Sequence, residues 1–257
     1  MVKKTTLIQK IKEIIQKEWK SKNTVLDVIK KQLIKKKNKP FWLFFFILKG
    51  TKIMIKKLIL GTMRTNCYVI YNDNHECFII DPGAQGQKVA KFLEEKELEL
   101  KAILLTHGHF DHIGAVDYLY ERFQCPVYAQ KESFEIIRNP QYNLSAMMGE
   151  SFTLKAPLLE ATSTMNIIGM TVQWLLLEGH CYGSSMIYVP QENALFSGDV
   201  LFAGSIGRYD FPTSSHLTTK ESLKKIKSLQ FDARLLPGHG EESSLNYEQK
   251  HNPFLRS

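Results

Sequence analysis

The chain has 257 residues, of which 44% are hydrophobic and 23% charged, a balance typical of a globular protein with a substantial core of its own. Its net charge of +8 comes from residues 1–53, which carry 15 lysines and 3 acidic residues, whereas residues 54–257 carry 19 basic and 23 acidic residues. The acidic balance of residues 54–257 excludes the basic surface that nucleic-acid-binding domains use, so no nucleic-acid partner is expected.

Residues 1–53 form a basic, partly amphipathic leader. Apolar residues recur at helical spacing from Leu7 to Leu33, and an apolar run of eight residues occupies positions 41–48. That run is much shorter than the roughly 20 residues of a membrane-spanning helix. The leader is an anchor at a membrane surface, an extra element on the domain, or the product of an upstream start codon assigned in place of Met54. We favour the third interpretation, and membrane association is expected only if the leader is real.

Strands and helices alternate from residue 53 onward. Apolar runs predict strands at residues 53–60, 67–71, 77–80, 102–105, 126–129, 165–168, 171–177, 186–189, 194–196 and 233–236. Amphipathic patterns predict helices at residues 87–97, 112–123, 131–138 and 215–229, and residues 139–159 are expected to form loops with brief strands. This alternation indicates an α/β fold.

The four cysteines indicate a reducing compartment. Cys67, Cys77, Cys125 and Cys181 lie in or beside apolar runs and form no C-x-x-C pair. Reduced, buried thiols are therefore expected, as in a cytoplasmic protein.

The predicted strand at residues 102–105 leads directly into a group of potential metal ligands. Four of them follow within six residues: His107, His109, Asp111 and His112. Residues two apart in an extended chain point the same way, so His107 and His109 can reach one ion together. The other two lie where the chain turns into the next helix, and they can face a neighbouring position. Three imidazoles and one carboxylate suit zinc or a similar divalent ion, and their density favours a metal site over a polar loop of hydrogen-bonded histidines.

The segment at residues 106–112, T-H-G-H-F-D-H, resembles the signature of the metallo-β-lactamase superfamily. The resemblance implies three further ligands downstream, in the order His, Asp, His, each at the end of an apolar run. Three residues meet this requirement: His180 after Gly179, Asp199 in the run S-G-D, and His239 in the run P-G-H-G. The remaining histidines, His75, His216 and His251, are expected to be surface or structural residues.

Within that superfamily, residues 54–257 are similar to the short bacterial type of glyoxalase II, the hydroxyacylglutathione hydrolases. The segments that carry the likeness are residues 65–68 (T-N-C-Y), 80–83 (I-D-P-G), 204–212 (G-S-I-G-R-Y-D-F-P) and 251–255 (H-N-P-F-L). The likeness implies an αββα sandwich with the metal site at one edge of the two sheets. It also implies that Asp81 supports the metal loop, with capping of its own turn as an equal alternative. Four residues are expected at the substrate rim: Tyr142, Tyr182, Arg208 and Tyr209.

The same likeness implies two divalent metal ions. Zn²⁺ is the first expectation, and Fe or Mn are the alternatives. One ion takes His107, His109 and His180, the second takes Asp111, His112 and His239, and Asp199 bridges them. A hydroxide held between the ions attacks a thioester carbonyl, and Asp111 is the catalytic residue that orients it.

The expected enzyme is therefore a cytoplasmic hydrolase that cleaves a small thioester, and the first substrate expected is S-2-hydroxyacylglutathione. The alternative is a mononuclear-iron glutathione persulfide dioxygenase on the same fold, which needs only two histidines and one carboxylate. A nuclease, a lactonase and a non-catalytic binding module are less favoured, because residues 54–257 are acidic and all seven ligands are present. Only 18 residues follow His239, so the C-terminal helical region that holds glutathione in longer glyoxalase II enzymes is not expected. The oligomeric state is left open.

Overall fold

The structure is a computed structural model that describes residues 52–149 and 151–256. The interpretations of the leader concern residues that lie outside these ranges, apart from Lys52 and Ile53. Residues Thr51–Ser257 form one compact unit. None of the helices in the described ranges is long and apolar enough to cross a membrane.

Strands and helices follow one another largely in the predicted order. The strands are β1 (Ile53–Leu60), β2 (Thr65–Asn72), β3 (Glu76–Ile80), β4 (Glu99–Leu104), β5 (Val127–Ala129), β6 (Leu158–Glu160), β7 (Thr164–Ile167), β8 (Met170–Leu176), β9 (Ser185–Val189), β10 (Ala194–Gly198), β11 (Leu201–Phe202), β12 (Ser205–Ile206), β13 (Arg234–Pro237) and β14 (Ser243–Ser244). The helices are α1 (Gly86–Glu95), α2 (Phe110–Ile113), α3 (Val116–Phe123), α4 (Phe134–Arg138), α5 (His216–Ser228), α6 (Leu245–His251) and α7 (Pro253–Arg256). Short 3-10 turns occur at Lys131–Ser133, Ser145–Met148 and Pro190–Glu192.

Two six-stranded sheets form the centre of the fold. The first has the strand order β1-β2-β3-β4-β5-β6; its first three strands are antiparallel, and β3 to β6 are parallel. The second has the order β14-β13-β10-β9-β8-β7, in which β10 and β13 are parallel and the other pairs antiparallel. A small hairpin, β11–β12, forms a separate two-stranded sheet.

Alternating side chains along the strands produce the four-layer αββα sandwich that the likeness implies. In β2, Val69 belongs to an apolar cluster shared with α1 and α3, whereas Tyr68 and Ile70 on the opposite face belong to the cluster between the two sheets. A third cluster joins the second sheet to α5, α6 and α7. Because both faces of each sheet are covered, strands such as β3 and β10 have nearly continuous apolar sequences.

The prediction of one helix at residues 112–123 is wrong. The structure has two helices there, α2 and α3, which are separated at Gly114 and Ala115. A neighbouring loop holds the backbone at this point: the N–H of Ala115 donates to the Pro82 carbonyl at 2.9 Å, and a Cβ on Gly114 would lie 2.4 Å from the Gly83 carbonyl oxygen. The hairpin β11–β12, the strand β14 and the helices α6 and α7 are too short for a clear periodicity, and the pattern did not predict them.

Candidate metal centre

Seven side chains meet at one edge of the two sheets: His107, His109, Asp111, His112, His180, Asp199 and His239. The first four follow β4 and enter α2, and the last three follow β8, β10 and β13 of the second sheet. Strand ends of this kind are where open α/β sheets carry their sites. The structure therefore brings together all seven residues that the sequence singled out.

Three histidines form the first set: His107, His109 and His180, whose ligand nitrogens lie within 4.8 Å of one another. Nε2 of His180 is 2.9 Å from Nδ1 of His109, and Nδ1 of His180 donates to the Arg208 carbonyl at 2.7 Å. Nδ1 of His107 donates to Oγ1 of Thr106 at 3.1 Å, because that hydroxyl gives its own proton to Asp81 at 2.6 Å. Because Nδ1 carries the proton in both rings, Nε2 of His107 and Nε2 of His180 are unprotonated, and each has a lone pair that can bind a metal.

Asp111, His112 and His239 form the second set, again with ligand atoms within 4.8 Å of one another. Oδ2 of Asp111 is 3.2 Å from Nε2 of His239, and that nitrogen is 3.4 Å from Nε2 of His112. Nδ1 of His112 donates to Oδ2 of Asp81 at 2.9 Å, so its Nε2 faces the centre. Asp81 thus lies behind the centre, where the likeness implies, and its carboxylate contacts residues that support both sets.

Asp199 lies between the two sets. Its Oδ1 is 3.3 Å from Nε2 of His112. Its Oδ2 is 3.7 Å from Nε2 of His180 and 3.5 Å from Nε2 of His239. One carboxylate therefore reaches a histidine of each set, which is the position that a bridging ligand requires.

Buried atoms of the centre lack a partner that a cation would supply. Nε2 of His107 is buried and has no hydrogen-bond partner among the described residues, and Oδ1 of Asp199, also buried, forms no hydrogen bond although Nε2 of His112 lies 3.3 Å away. Such atoms are uncommon, because buried polar atoms nearly always form a hydrogen bond. The imidazoles and carboxylates present here are the ligands that borderline divalent ions prefer. The side chains of the centre therefore fit metal ions.

The charges around the centre also favour a cation. Burial lowers the pKa of His107 well below its usual value and that of His109 to about 3, so both are neutral. Burial also lowers the pKa of His112, but the carboxylates of Asp199, Asp111 and Asp81 outweigh it and raise this pKa well above its usual value. Nε2 of His112 can hold either a proton or a metal ion, so metal binding there releases the proton.

Glycines let the surrounding loops approach the ligands. A Cβ on Gly83 would lie 1.5 Å from the carbonyl oxygen of Asp111. A Cβ on Gly238 would lie 2.4 Å from Oδ1 of Asp199 and 2.7 Å from Cε1 of His112. Any larger residue at these two positions would displace a ligand, so the glycines are part of the site.

The comparison with protein families decides the family of the chain. The family model of the metallo-β-lactamase superfamily matches residues 60–239, a range that includes all seven side chains of the centre. The chain belongs to the metallo-β-lactamase superfamily. Its two-sheet architecture and its cluster of histidines and aspartates agree with this membership.

The relatives that the chain resembles in sequence include proteins named as hydrolases. It is 37% identical over 204 residues to the probable metallo-hydrolase YqgX of Bacillus subtilis, with 78% of this chain and 96% of the relative covered. It is 32% identical over 197 residues to the hydroxyacylglutathione hydrolase GloC of Haemophilus influenzae, with 75% of this chain and 93% of the relative covered.

Two solved structures of this fold resemble the chain over its described part. The BLEG-1 B3 metallo-β-lactamase has a TM-score of 0.75 and 38% identity, and the match covers 79% of this chain and all of that one. The protein TTHA1623, solved in a di-iron-bound form, has a TM-score of 0.70 and 35% identity, and the match covers 78% of this chain and all of that one. One protein of this fold, TTHA1623, thus holds two iron ions.

Aromatic side chains border the metallo-β-lactamase centre on two sides. The ring of Phe211 is 5.8 Å from the His109 ring and 6.1 Å from the His180 ring. The ring of Phe202, in β11, is 6.2 Å from the His239 ring. Neither residue was predicted for the site, because a phenylalanine in a two-residue strand (Phe202) or in a loop (Phe211) has no distinguishing sequence signal.

The residues predicted for the rim lie at different distances from the centre. The guanidinium of Arg208 is 4.3 Å from the centroid of the Phe211 ring and pairs with Asp210 at 2.9 Å. Tyr209 stacks on His216, with the ring centroids 5.1 Å apart. Tyr182 is exposed two residues after His180, and Tyr142 is half-buried next to Asn143, whose carbonyl accepts from the N–H of Phe110. Arg208 thus contacts a wall of the centre directly.

Proposed function

We propose that the chain is a two-metal hydrolase that cleaves a small thioester, S-2-hydroxyacylglutathione in the first place. The observation that carries the proposal is the position of Asp199, whose carboxylate oxygens reach His112, His180 and His239 and so join two complete ligand sets. The 32% identity to GloC, a protein named hydroxyacylglutathione hydrolase, supports the substrate class.

Each ligand set holds one ion in this proposal. The first set is His107, His109 and His180, the second is Asp111, His112 and His239, and Asp199 contributes to both. When bound, the ions supply an acidified water molecule and a Lewis acid for the thioester carbonyl. Zn²⁺ is the first expectation, with Fe or Mn as alternatives, since imidazole and carboxylate suit all three.

The side chains of the protein position the reactants. Asp111 accepts a hydrogen bond from Oγ1 of Thr65 at 2.9 Å, and this bond holds its carboxylate in place to orient the attacking water. Phe202 and Phe211 cover two sides of the centre and limit access of bulk water. The leaving group is a thiolate, a weak base, so the reaction needs no strong general acid.

Metal content and activity, measured on one preparation, test this proposal. We expect about two metal ions per chain and hydrolysis of S-D-lactoylglutathione. His112→Ala should remove one ion and abolish turnover. His75→Ala is the matched control, because His75 is exposed in the turn after β2, and it should change neither quantity.

Two other outcomes would replace the proposed activity. One iron per chain, with oxygen uptake on glutathione persulfide and no thioester hydrolysis, would favour the mononuclear persulfide dioxygenase. Hydrolysis of a β-lactam without hydrolysis of the thioester would instead favour the activity after which BLEG-1 is named.

The catalytic domain in this proposal is residues 54–257. The four cysteines, all in the described ranges, are free and buried, which supports a reducing, cytoplasmic location. The intact mass of the natural protein tests the limit of the domain. We expect a chain that begins at Met54, and a mass that includes residues 1–53 would contradict this expectation.

A further inference from the structure

The first residues of β2 form hydrogen bonds with the loop that carries His239. Asn66 is 1% exposed, and its side-chain amide donates to two carbonyls of that loop, Pro237 at 2.9 Å and Gly240 at 3.0 Å. Its backbone N–H donates to the Gly238 carbonyl at 2.7 Å. Three hydrogen bonds from one residue therefore hold the backbone on both sides of His239.

Two neighbours of Asn66 extend this contact. Thr65 donates its hydroxyl to Oδ2 of Asp111 at 2.9 Å, and Tyr68 donates its hydroxyl to the Pro237 carbonyl at 2.8 Å. Both residues are buried. Because β2 belongs to the first sheet and Pro237 ends β13 of the second sheet, the hydrogen bond from Tyr68, like those from Asn66, joins the two sheets at the edge that carries the metal centre.

His239 needs such support more than the other histidines of the centre. Its side chain is 26% exposed, against 0% for His112 and 6% for His180. It lies in a loop between Gly238 and Gly240, and glycines leave the backbone free to adopt many conformations. Packing therefore constrains His239 least, and the hydrogen bonds from Asn66 restrict the loop instead.

We propose that residues 65–68 of β2 position the second ligand set. Asn66 fixes the loop of His239, and Thr65 fixes the carboxylate of Asp111. The inference rests on the proposed function, because it takes His239 and Asp111 as metal ligands. The first set has supports of its own, since His107 donates to Thr106 and His180 donates to the Arg208 carbonyl. Loss of the contacts from β2 should therefore weaken one ion of the pair.

A comparison of two asparagines on β2 tests this inference. Asn72 is also buried, at 2% exposure, and its side chain donates to Glu76 and accepts from the N–H groups of Asn74 and Glu76. It lies roughly 20 Å along the strand from Asn66. Asn66→Ala and Asn72→Ala both remove buried hydrogen bonds, and only the first removes the contact with the His239 loop.

The measurement is a titration of the metal-free full chain with Co²⁺, followed by absorption spectroscopy and calorimetry. We expect Asn66→Ala to weaken binding of the second ion about 10–100-fold and to leave the first unchanged. Asn72→Ala should leave both affinities unchanged. Equal affinities in the two variants, or an equal loss of both ions in Asn66→Ala, would overturn the inference.

Thr65 provides a second test that does not depend on the folding of Asn66→Ala. Thr65→Val removes the hydroxyl with little change in shape, so it should weaken the second ion and change its Co²⁺ spectrum. Thr65→Ser keeps the hydroxyl and should restore both properties; failure to do so would contradict the role of the hydrogen bond.

The unmodified protein separates failure of this inference from failure of the proposed function. If it binds one ion only, the two-metal assignment is wrong, and this inference is wrong with it. If it binds two ions and hydrolyses no thioester, the proposed substrate is wrong, and the titrations of the variants still decide the role of β2.

Discussion

Replacing Asp81 by Asn would change which atoms carry protons in the hydrogen bonds behind the metal centre, while the size of the side chain stays the same. The carboxylate of Asp81 accepts three hydrogen bonds: from the N–H of Thr106 at 2.8 Å, from the hydroxyl of Thr106 at 2.6 Å, and from Nδ1 of His112 at 2.9 Å. The backbone of Asp81 is in the left-handed region, with a φ of 51°. Asn tolerates this conformation, so Asp81→Asn adds no backbone strain.

The substitution reverses the two hydrogen bonds to Oδ2. The new amide oxygen can still accept from the N–H of Thr106, but the amide NH₂ group then faces both the Thr106 hydroxyl and Nδ1 of His112. Both must become acceptors, so the Thr106 hydroxyl donates to Nδ1 of His107 instead, and the neutral form of each imidazole carries its proton on Nε2. Three hydrogen bonds to a charged group become neutral ones, with a loss of about 1 kcal/mol each, so the free energy of unfolding should fall by about 3 kcal/mol. The affinities for the ion at His112 and for the ion at His107 should each fall about 10–100-fold, or about 1.4–2.8 kcal/mol.

Zinc titration measures the affinity, and long-range ¹H–¹⁵N NMR spectra show which nitrogen of His112 carries the proton. Asp73→Asn is the matched control, because Asp73 is exposed in the turn between β2 and β3, and it should change neither property. Unchanged affinity in Asp81→Asn, with the proton still on Nδ1 of His112, would refute the reasoning.

Three further predictions concern a glycine beside the metal centre, a strained threonine and the buried cysteines. Gly238→Ala should lose bound metal and activity, because its Cβ would lie 2.4 Å from Oδ1 of Asp199. Gly240→Ala should keep both, since its Cβ meets no described atom within 4 Å, and should lose only about 1 kcal/mol of stability because its φ is +75°. Thr213 combines a φ of 72° with a buried hydroxyl that has no partner among the described residues. Thr213→Gly should therefore raise the free energy of unfolding by about 1 kcal/mol, and a lower midpoint in urea would contradict this. Burial raises the pKa of the Cys125 thiol to about 11, so about one thiol in a thousand is ionised at pH 8. All four cysteines are buried, and they should react with a thiol reagent only after denaturation; fast labelling of the native protein would show that the thiols are accessible.

The ligands could be predicted from the sequence because each signal is local. Asp199, for example, directly follows the apolar strand β10, and the pattern of a few residues shows that a carboxylate stands at a strand end. Apart from Asp81, which the likeness implied, the supports of the ligands could not be predicted, because Asn66 and Pro237 are 171 positions apart and Thr65 and Asp111 are 46 apart. No periodicity relates such residues, since the stacking of the two sheets creates their contacts. The likeness to glyoxalase II drew attention to residues 65–68 but named no partner for them.

Asp81 determines which ring nitrogen carries the proton in one histidine of each ligand set. Its Oδ2 accepts the protons of His112 and of the Thr106 hydroxyl, and the oxygen of that hydroxyl accepts the proton of His107. One carboxylate therefore determines which nitrogen a histidine of each set presents to a metal. The left-handed backbone of Asp81, which costs on the order of 1 kcal/mol, turns the carboxylate back from the end of β3 toward these partners. Two residues later, Gly83 allows the same turn to contact the carbonyl of Asp111 in α2. The turn thus fixes both the proton positions and the approach of α2, so a change at either residue should disturb both ions.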